Sequence, residues 1–421
     1  MPLHLPHRAH TLDNGLRLFI HEDHRVPIVC VNVWYFVGSK NEHVGRTGFA
    51  HLFEHLMFEG SKHVPKGQFD ELLETAGGTN NGSTSTDRTN YWETVPPGAL
   101  DLALHLESDR MGWFLETITQ QNLDAQRDVV KNERRQSYEN RPYGLAYETM
   151  MASLYPETHP YHWPVIGWMR DLDAATLEDV RSFFQRYYSP RNATLAIAGD
   201  VDGDDVIERV EHYFGAIAPG SEPPRVHTEP VESSSAKIVT LEDDVYLSRT
   251  HIAWHSPALY SDGDAEMDVA AEILGSGKSS RLYKTLVHDL ELAQDVEAYH
   301  NSGQLGSSLV LVATAREGVS TEQLENEVHR IVQETAKSVE VREVERGRNH
   351  IETATLDALQ SVGGFGGKAD RLNQYFFYTG VADYLETDLE RYRALDPNRV
   401  SAELARVTAQ QPVTVRVEPR R

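Results

Sequence analysis

The segment Phe49-Ala50-His51-Leu52-Phe53-Glu54-His55-Leu56-Met57-Phe58 indicates both a local fold and a chemistry. Its apolar residues recur at helical spacing and a glycine stands on either side, so we predict one short helix. His51 and His55 are four residues apart and therefore lie on the same side of that helix. Two imidazoles at this spacing can bind one Zn²⁺, and Glu54 can then act on an activated water. A pair of hydrogen-bonded core histidines is the alternative interpretation.

The composition of the whole chain is that of a globular protein with a large acidic excess. Its 421 residues are too many for one compact core. We predict two domains, at residues 1–220 and 236–421, joined by a linker at 221–235 that is rich in proline, serine and glutamate. The net charge of −24 argues against nucleic acid as a partner, because phosphate binding needs basic patches. It would suit basic or neutral peptides, although a generally acidic solvated surface explains it better.

The chain contains no uninterrupted apolar stretch long enough to span a membrane, and its first residues lack the apolar core of a secretory signal. We therefore expect no membrane partner. The single cysteine, Cys30, lies in an apolar run and cannot form an internal disulfide. A reducing compartment fits this usage, so a cytoplasmic location is predicted.

Strand and helix patterns follow the same order in both halves of the chain. Strand patterns occupy 16–20, 28–35, 81–95, 194–200, 249–254, 294–300 and 308–314, and helical patterns occupy 67–75, 98–115, 123–138, 177–188 and 264–274. A further amphipathic helix is expected between the last of these helices and the strand at 294–300. The repeated order predicts an α+β protein of two homologous domains, each with helices packed on one face of a mostly antiparallel sheet. The second copy has no His-x-x-Glu-His pattern.

A catalytic zinc site keeps three protein ligands, so a third ligand is required. The helical pattern at 123–138 offers Glu133, which shares one helix face with Val129 and Val130. A carboxylate on the apolar side of a helix suggests a ligand, because burying a charge without a partner is costly. An ordinary surface salt bridge is the alternative interpretation of Glu133.

Several segments together resemble the inverted-zincin peptidases, the family that includes pitrilysin, insulin-degrading enzyme and mitochondrial processing peptidase. These segments are 49–60, 76–85, 87–91, 127–133, 159–161 with Gly167, and 188–200. The chain is most similar to short bacterial members that resemble processing-peptidase subunits. The resemblance implies that His51, His55 and Glu133 hold one Zn²⁺ per chain and that Glu54 is the general base.

The polar residues Asn81, Gly82 and Ser83 resemble the substrate-binding edge strand of that family. Such a strand pairs with an extended peptide through main-chain hydrogen bonds, which makes few demands on the peptide sequence. Without the resemblance, a β-hairpin strand with one solvated face would explain the same pattern.

The chain departs from the family pattern in two places. The family often has a supporting glutamate seven residues before the glutamate ligand, and this chain has Gln126 there. We expect Gln126 to lie behind the zinc ligands, where such residues tune metal affinity. In the C-terminal half, Val287 and Gln294 occupy the positions of an arginine and a tyrosine that contact substrate. The resemblance therefore implies a heterodimer in which a homologous chain supplies that pair.

The predicted function is that of a zinc metalloendopeptidase subunit that hydrolyses peptides or short unfolded polypeptides, with Glu54 accepting the proton of the attacking water. A non-catalytic core subunit of a larger assembly, like the core proteins of respiratory complexes, is the alternative. Such subunits typically have eroded zinc ligands, whereas the four key positions are intact in this chain. A metal-storage protein is a third interpretation. The 20 histidines are scattered along the chain and not clustered, which argues against it.

Overall fold

The structure, a computed structural model, describes residues 3–229, 231 and 235–420. The chain forms two compact units, each built from several segments. The first unit comprises Met1–Asn132, Pro164–Val226 and Ala354–Glu386, and the second comprises Glu133–Trp163, His227–Thr353 and Thr387–Arg421. Within the described residues, none of the helices combines the length and the apolar character that a membrane crossing needs.

The predicted division at 221–235 runs along the sequence, whereas the two units take segments from both halves of the chain. Residues 221–229, which are described, contain no helix or strand. Pro230 and residues 232–234 of the predicted linker lie outside the described residues. The division into 1–220 and 236–421 stays a prediction.

The described residues contain eleven strands and fourteen α-helices, besides short 3₁₀ and π-helical turns. The strands are β1 (Arg8–Thr11), β2 (Arg17–Glu22), β3 (Val29–Tyr35), β4 (Thr79–Thr84), β5 (Thr89–Val95), β6 (Ala193–Gly199), β7 (Lys237–Asp243), β8 (Arg249–Ser256), β9 (Ala293–Asn301), β10 (Ser307–Ala315) and β11 (Val413–Pro419). The helices are α1 (Phe49–Leu56), α2 (Gln68–Thr75), α3 (Leu100–Trp113), α4 (Gln120–Arg134), α5 (Ala146–Leu154), α6 (Met169–Asp173), α7 (Leu177–Tyr187), α8 (Gly203–Phe214), α9 (Asp264–Gly275), α10 (Thr321–Lys337), α11 (Val341–Ala358), α12 (Lys368–Thr379), α13 (Leu385–Arg393) and α14 (Pro397–Thr408).

The first unit is built on a six-stranded sheet with the strand order β1-β2-β6-β3-β5-β4. Only β2 and β6 pair in parallel among these strands, and the other neighbours are antiparallel. Strands β3 and β6 are buried along their whole length. A strand buried on both faces needs cover on both faces, so helices must lie on each side of this sheet.

Helix α12 covers the face of the first sheet to which Asn32 and Trp34 of β3 point. The indole Nε1 of Trp34 donates a 2.7 Å hydrogen bond to Asp370, and the amide of Asn373 donates a 2.9 Å hydrogen bond to the carbonyl oxygen of Asn32. These buried polar groups find their partners on a helix more than 300 residues away in sequence. On the opposite face, Tyr35 contacts the aromatic cluster around α1 and α7.

The second unit repeats the topology of the first. Its sheet has the order β7-β11-β8-β10-β9, with β7 and β11 parallel and the other neighbours antiparallel. The strands β2-β6-β3-β5-β4 of the first sheet have the same order and the same parallel and antiparallel pairings. The α+β class with two mostly antiparallel sheets is therefore confirmed, and the matching order agrees with the predicted duplication. In this correspondence α9 takes the place of α1, and β9 takes the place of β4.

The second sheet is also covered on both faces. On one face, Ile252, Trp254 and Leu311 belong to the apolar core that α9, α10 and α14 complete. On the other face, Val415 of β11 packs in a cluster with Met150 of α5. Each sheet thus receives one helix from the other half of the chain, α12 for the first and α5 for the second.

Three element predictions need correction. The strand predicted at 81–95 is two strands, β4 and β5, because a tight turn closed by the 2.8 Å hydrogen bond from Ser85 N to Arg88 O separates them. The helix predicted at 123–138 begins at Gln120, and a π-helical turn over Arg135–Glu139 follows its end. The amphipathic helix expected after α9 is a π-helical segment at Tyr283–Asp289.

Candidate metal centre

Helix α1 is anchored by its apolar face and by its first turn. The ring of Phe53 stacks on Tyr188 with the ring centroids 5.1 Å apart. The carboxylate of Glu42 accepts hydrogen bonds from the backbone N–H groups of Gly48 (2.9 Å) and Ala50 (2.8 Å). These N–H groups have no acceptor within the helix, and a negative charge is favourable at a helix N-terminus. The two anchors fix the orientation of the opposite face of α1.

His51 and His55 lie on that opposite face and are half-buried. Their ring centroids are 4.8 Å apart, with the ring planes 77° from parallel. Leu52 and Phe53 between them are fully buried. The histidines therefore stand at the boundary of the core, where an ion could reach them, and not among the apolar side chains.

Helix α4 brings Glu133 to the two histidines. His51, His55 and Glu133 each offer one ligand atom, and these atoms all lie within 4.8 Å of one another. The first unit ends inside α4 after Asn132, and Glu133 follows in the same continuous helix. Two imidazole nitrogens and one carboxylate oxygen form a donor set that zinc uses in hydrolytic enzymes, so these residues fit Zn²⁺.

The side of α4 that carries Glu133 is less apolar than predicted. Val130 is buried, as expected, but Val129 is 45% exposed and Glu133 is half-buried. Glu133 thus stands at the border between the apolar and solvated sides of α4. Its position beside the histidines, and not the apolar character of its neighbours, makes it a candidate ligand.

The general-base candidate Glu54 faces strand β4. The hydroxyl of Thr84 donates a 2.6 Å hydrogen bond to Oε2 of Glu54. Gly82 lies two residues earlier, on the same side of the strand. A Cβ atom added to Gly82 would be 3.4 Å from Cγ of Glu54 and 3.0 Å from the ring of Tyr91. A side chain at position 82 would therefore crowd the ring of Tyr91, whereas its distance to Glu54 would be an ordinary contact.

Two buried tyrosines stand near Glu54 as neutral groups. Burial raises the pKa of Tyr91 and of Tyr188, and the negative charge of Glu54 contributes to both increases. Both hydroxyls consequently stay protonated at neutral pH.

The predicted substrate-binding residues lie on an edge strand. Asn81, Gly82 and Ser83 are part of β4 and pair with residues 90–92 of β5. Strand β4 is the last in the sheet order, so its second edge faces no further strand of this sheet. An extended peptide can pair with such an edge. The binding role of the three residues stays a prediction.

Gln126 contacts a carboxylate that the sequence did not single out. Its amide donates a 2.6 Å hydrogen bond to Glu59, which also accepts hydrogen bonds from Lys66 and Asn122. Burial raises the pKa of Glu59, but these three hydrogen bonds outweigh it and hold that pKa below its usual range. Glu59 immediately precedes Gly60, the glycine at the end of the motif segment. This proximity to the motif is the one sequence signal that could have identified Glu59. The supporting role of Gln126 at the metal centre stays a prediction.

The positions of the missing arginine and tyrosine lie in the second unit. Val287 is half-buried against the apolar core of that unit, and Gln294 is exposed at the start of β9. Arg281, the arginine near them in sequence, is held by Glu343 through a 2.8 Å hydrogen bond from Nε. None of the three side chains offers a substitute for a substrate-binding arginine.

Two family descriptions match most of the chain. Residues 17–160 match "Insulinase (Peptidase family M16)", and residues 174–351 match "Peptidase M16 inactive domain". The chain is 32% identical over 335 residues to "Zinc protease PqqE" of Helicobacter pylori (strain ATCC 700392 / 26695), covering 79% of this chain and 75% of that protein. It is 24% identical over 359 residues to the Arabidopsis thaliana protein named "Probable mitochondrial-processing peptidase subunit beta, mitochondrial", covering 83% and 67% respectively.

A solved structure shows the same fold. The crystal structure of a protease from Helicobacter pylori superimposes with a TM-score of 0.89 at 27% sequence identity. The match covers 99% of this chain and all of that chain. The two-sheet architecture described above is therefore that of a known protease.

Proposed function

The chain belongs to peptidase family M16, and from this premise we propose that it is the zinc-binding subunit of a metalloendopeptidase. One observation carries the proposal. The ligand atoms of His51, His55 and Glu133 lie within 4.8 Å of one another, and Glu54 is on the same helix as the histidines. One Zn²⁺ per chain is the proposed cofactor.

The side chains around the site have separate roles in this proposal. Zn²⁺ bound by the two histidines and Glu133 would polarise the scissile carbonyl as a Lewis acid. Glu54 takes a proton from the attacking water and delivers it to the leaving amine. Thr84 holds one oxygen of the Glu54 carboxylate through its 2.6 Å hydrogen bond, which limits the orientations that the base can adopt.

Peptides or short unfolded polypeptides are the proposed substrates. An extended segment paired with the edge of β4 at Asn81, Gly82 and Ser83 would run past Glu54, because Thr84 of that strand donates a hydrogen bond to this side chain. Main-chain pairing gives affinity without a strict sequence requirement. The net charge of −24 favours basic or neutral peptides over acidic ones.

The substitution Glu54→Gln tests the proposed mechanism. The variant is expected to keep the zinc bound by His51, His55 and Glu133 and to lose peptide hydrolysis by about 10²- to 10⁴-fold, because the amide cannot accept the proton. Turnover of a fluorogenic peptide and metal content are measured on the same preparation. Glu71→Gln, at an exposed position of α2, is the matched control and keeps wild-type turnover. Wild-type turnover in Glu54→Gln would refute the mechanism.

We propose further that the working peptidase is a heterodimer. Val287 and Gln294 cannot bind substrate as an arginine and a tyrosine would, and the Arabidopsis relative is named as a subunit. A homologous chain of similar size should therefore co-purify from the native cell. The isolated chain should bind zinc and turn over peptides slowly, and adding the partner should raise turnover. Full turnover by the isolated chain would contradict heterodimerisation while leaving the zinc chemistry intact.

A non-catalytic core subunit is the second candidate function. It is favoured by the description of residues 174–351 as an inactive domain. Metal analysis separates the two candidates, because a core subunit without catalysis would not need zinc at His51, His55 and Glu133. A cytoplasmic location stays a prediction, supported by the lone buried thiol of Cys30.

A further inference from the structure

The second unit carries a group of metal-type ligands on the helix that corresponds to α1. Helix α9 follows β8 as α1 follows β3, and β8 and β3 hold the same place in their sheets. Asp264 and Asp268 are four residues apart on α9, the spacing that His51 and His55 have on α1. Residues at this spacing lie on the same side of a helix. A sequence search for a second His-x-x-Glu-His pattern does not find this pair.

Strand β9 adds an imidazole to the two carboxylates. Asp264, Asp268 and His300 each offer a ligand atom, and these atoms all lie within 4.8 Å of one another. Nδ1 of His300 is 2.8 Å from Oδ1 of Asp268 and 3.7 Å from Oδ1 of Asp264. The hydroxyl of Ser302 lies 3.1 Å from the same Nδ1 and 3.4 Å from Oδ1 of Asp264. One nitrogen and three oxygens therefore lie close together.

In each of the three side chains, the other polar atom contacts a residue outside the group. These contacts are Arg391 Nη1 to Asp264 Oδ2 (2.9 Å), Tyr392 Oη to Asp268 Oδ2 (2.7 Å) and Ser256 Oγ with His300 Nε2 (2.8 Å). The backbone N–H of Tyr260 adds a 2.9 Å hydrogen bond to Oδ2 of Asp264. Outer hydrogen bonds of this kind orient the side chains that bind a metal. The inward atoms are thus fixed in place before any ion arrives.

Burial and charge favour a cation at this point. The Asp264 side chain is fully buried and that of His300 is 1% exposed, whereas that of Asp268 is 23% exposed and provides access from solvent. Two carboxylates held this close repel each other, and Arg391 already forms an ion pair with Asp264. A metal ion bound to both carboxylates would reduce the remaining repulsion.

We propose that Asp264, Asp268 and His300 bind a second divalent metal ion, of the class that accepts mixed nitrogen and oxygen ligands, with Zn²⁺ as the probe. The ion would tie α9 to β9 within the second unit. It would serve structure and not hydrolysis, so the proposal is independent of the proposed peptidase function. The alternative is that a proton on His300, shared with Asp268, takes the place of the metal ion.

Zinc stoichiometry of the full-length chain tests the proposal. Protein stripped of metal is dialysed against Zn²⁺, and bound zinc is measured by mass spectrometry. We expect two equivalents in the wild type, one in His300→Ala, one in His55→Ala and none in the double variant. His288→Ala is the matched control, because this histidine of the same unit is 78% exposed, and it should keep two equivalents.

A second variant and a second readout separate metal loss from misfolding. Asp268→Asn keeps an oxygen that can accept the Tyr392 hydrogen bond, so its fold should be preserved while zinc binding weakens. Added Zn²⁺ should raise the thermal unfolding midpoint of His55→Ala, because a ligand that binds only the folded state stabilises it. The same addition should leave His55→Ala/His300→Ala unchanged. If the wild type bound one equivalent of zinc and His55→Ala bound none, the proposal would be overturned. A proton shared by His300 and Asp268 would then take the place of the metal ion.

Discussion

At the residue scale, the position of Glu54 depends on a strand that the motif does not include. Thr84 and Glu54 are 30 residues apart and meet through one hydrogen bond. Gly82, on the same side of β4, leaves the ring of Tyr91 uncrowded. The motif predicts which carboxylate can act as a base, whereas β4 sets the direction in which that carboxylate points.

Thr84→Val removes the hydrogen bond to Glu54 and keeps the shape of the side chain. A hydrogen bond to a charged group contributes about 1.5–3 kcal/mol, so kcat should fall by about 10- to 100-fold. KM for a fluorogenic peptide should change little, since the main-chain edge of β4 is unaltered. Thr84→Ser retains the hydroxyl and should recover most of the lost turnover. Equal kcat values for Thr84→Val and the wild type would show that Thr84 does not position Glu54.

At the element scale, the segment after α5 buries a neutral histidine. The ring of His159 stacks on Tyr155 with centroids 4.4 Å apart and meets the edge of Tyr161. The backbone N–H of Tyr161 donates a 3.1 Å hydrogen bond to Nδ1 of His159, which only a neutral ring can accept at that nitrogen. Burial lowers the pKa of His159 to about 4, and the nearby His255 and His162 add to this.

This histidine should make the protein less stable in mild acid. Between about pH 6.5 and 4 the unfolded chain binds the proton and the folded chain does not, so the free energy of unfolding decreases as the pH falls. The contribution of His159 is about 2 kcal/mol between pH 7 and pH 5. His159→Gln should reduce the pH dependence of urea unfolding by this amount.

The variant His288→Ala, at an exposed histidine, provides the control for the effect of removing an imidazole from the chain. His251, whose pKa burial also lowers to about 4, should maintain part of the slope in His159→Gln. An identical slope in wild type and His159→Gln would show that the pKa of His159 is the same in the folded and the unfolded chain.

At the scale of the whole molecule, the two units take helices from each other's half of the sequence. Helix α12 belongs to the first unit and α5 belongs to the second. Asp370 of α12 accepts hydrogen bonds from the side chains of Trp34 and Asn90, which are buried in the first sheet. Without α12, this face of the sheet would expose apolar surface and leave buried donors without acceptors.

Fragments 1–220 and 236–421 expressed separately should therefore fail to unfold cooperatively. The first fragment lacks α12 and the second lacks α5, so each sheet loses the cover of one face. Co-expression should restore a folded complex, as measured by hydrogen exchange at the central strands β3 and β8. A cooperative thermal transition of residues 1–220 alone would contradict this prediction.

The sequence predicted those parts of the fold that have a regular local pattern. The motif helix, β3 and the repeated order of strands and helices follow from hydrophobic periodicity, which a few neighbouring residues encode. The turn that divides β4 from β5 and the π-helical segment at Tyr283–Asp289 were missed, because polar residues on an edge strand and irregular helices have no such period. The strands β1, β7 and β11 were also missed. Strand β1 has only four residues, whereas β11 alternates valine with polar residues and carries a pattern that predicts a strand.

The sequence by itself determined the set of residues proposed to bind zinc, because motif and family resemblance both operate residue by residue. Only the tertiary structure decided which distant groups meet: Thr84 with Glu54, Glu59 with Gln126, and His300 with the two aspartates of α9. Each of these contacts joins separate elements, and local periodicity does not specify which faces will pack together. Their partners are set by how the sheets order their strands and by which helices cover them.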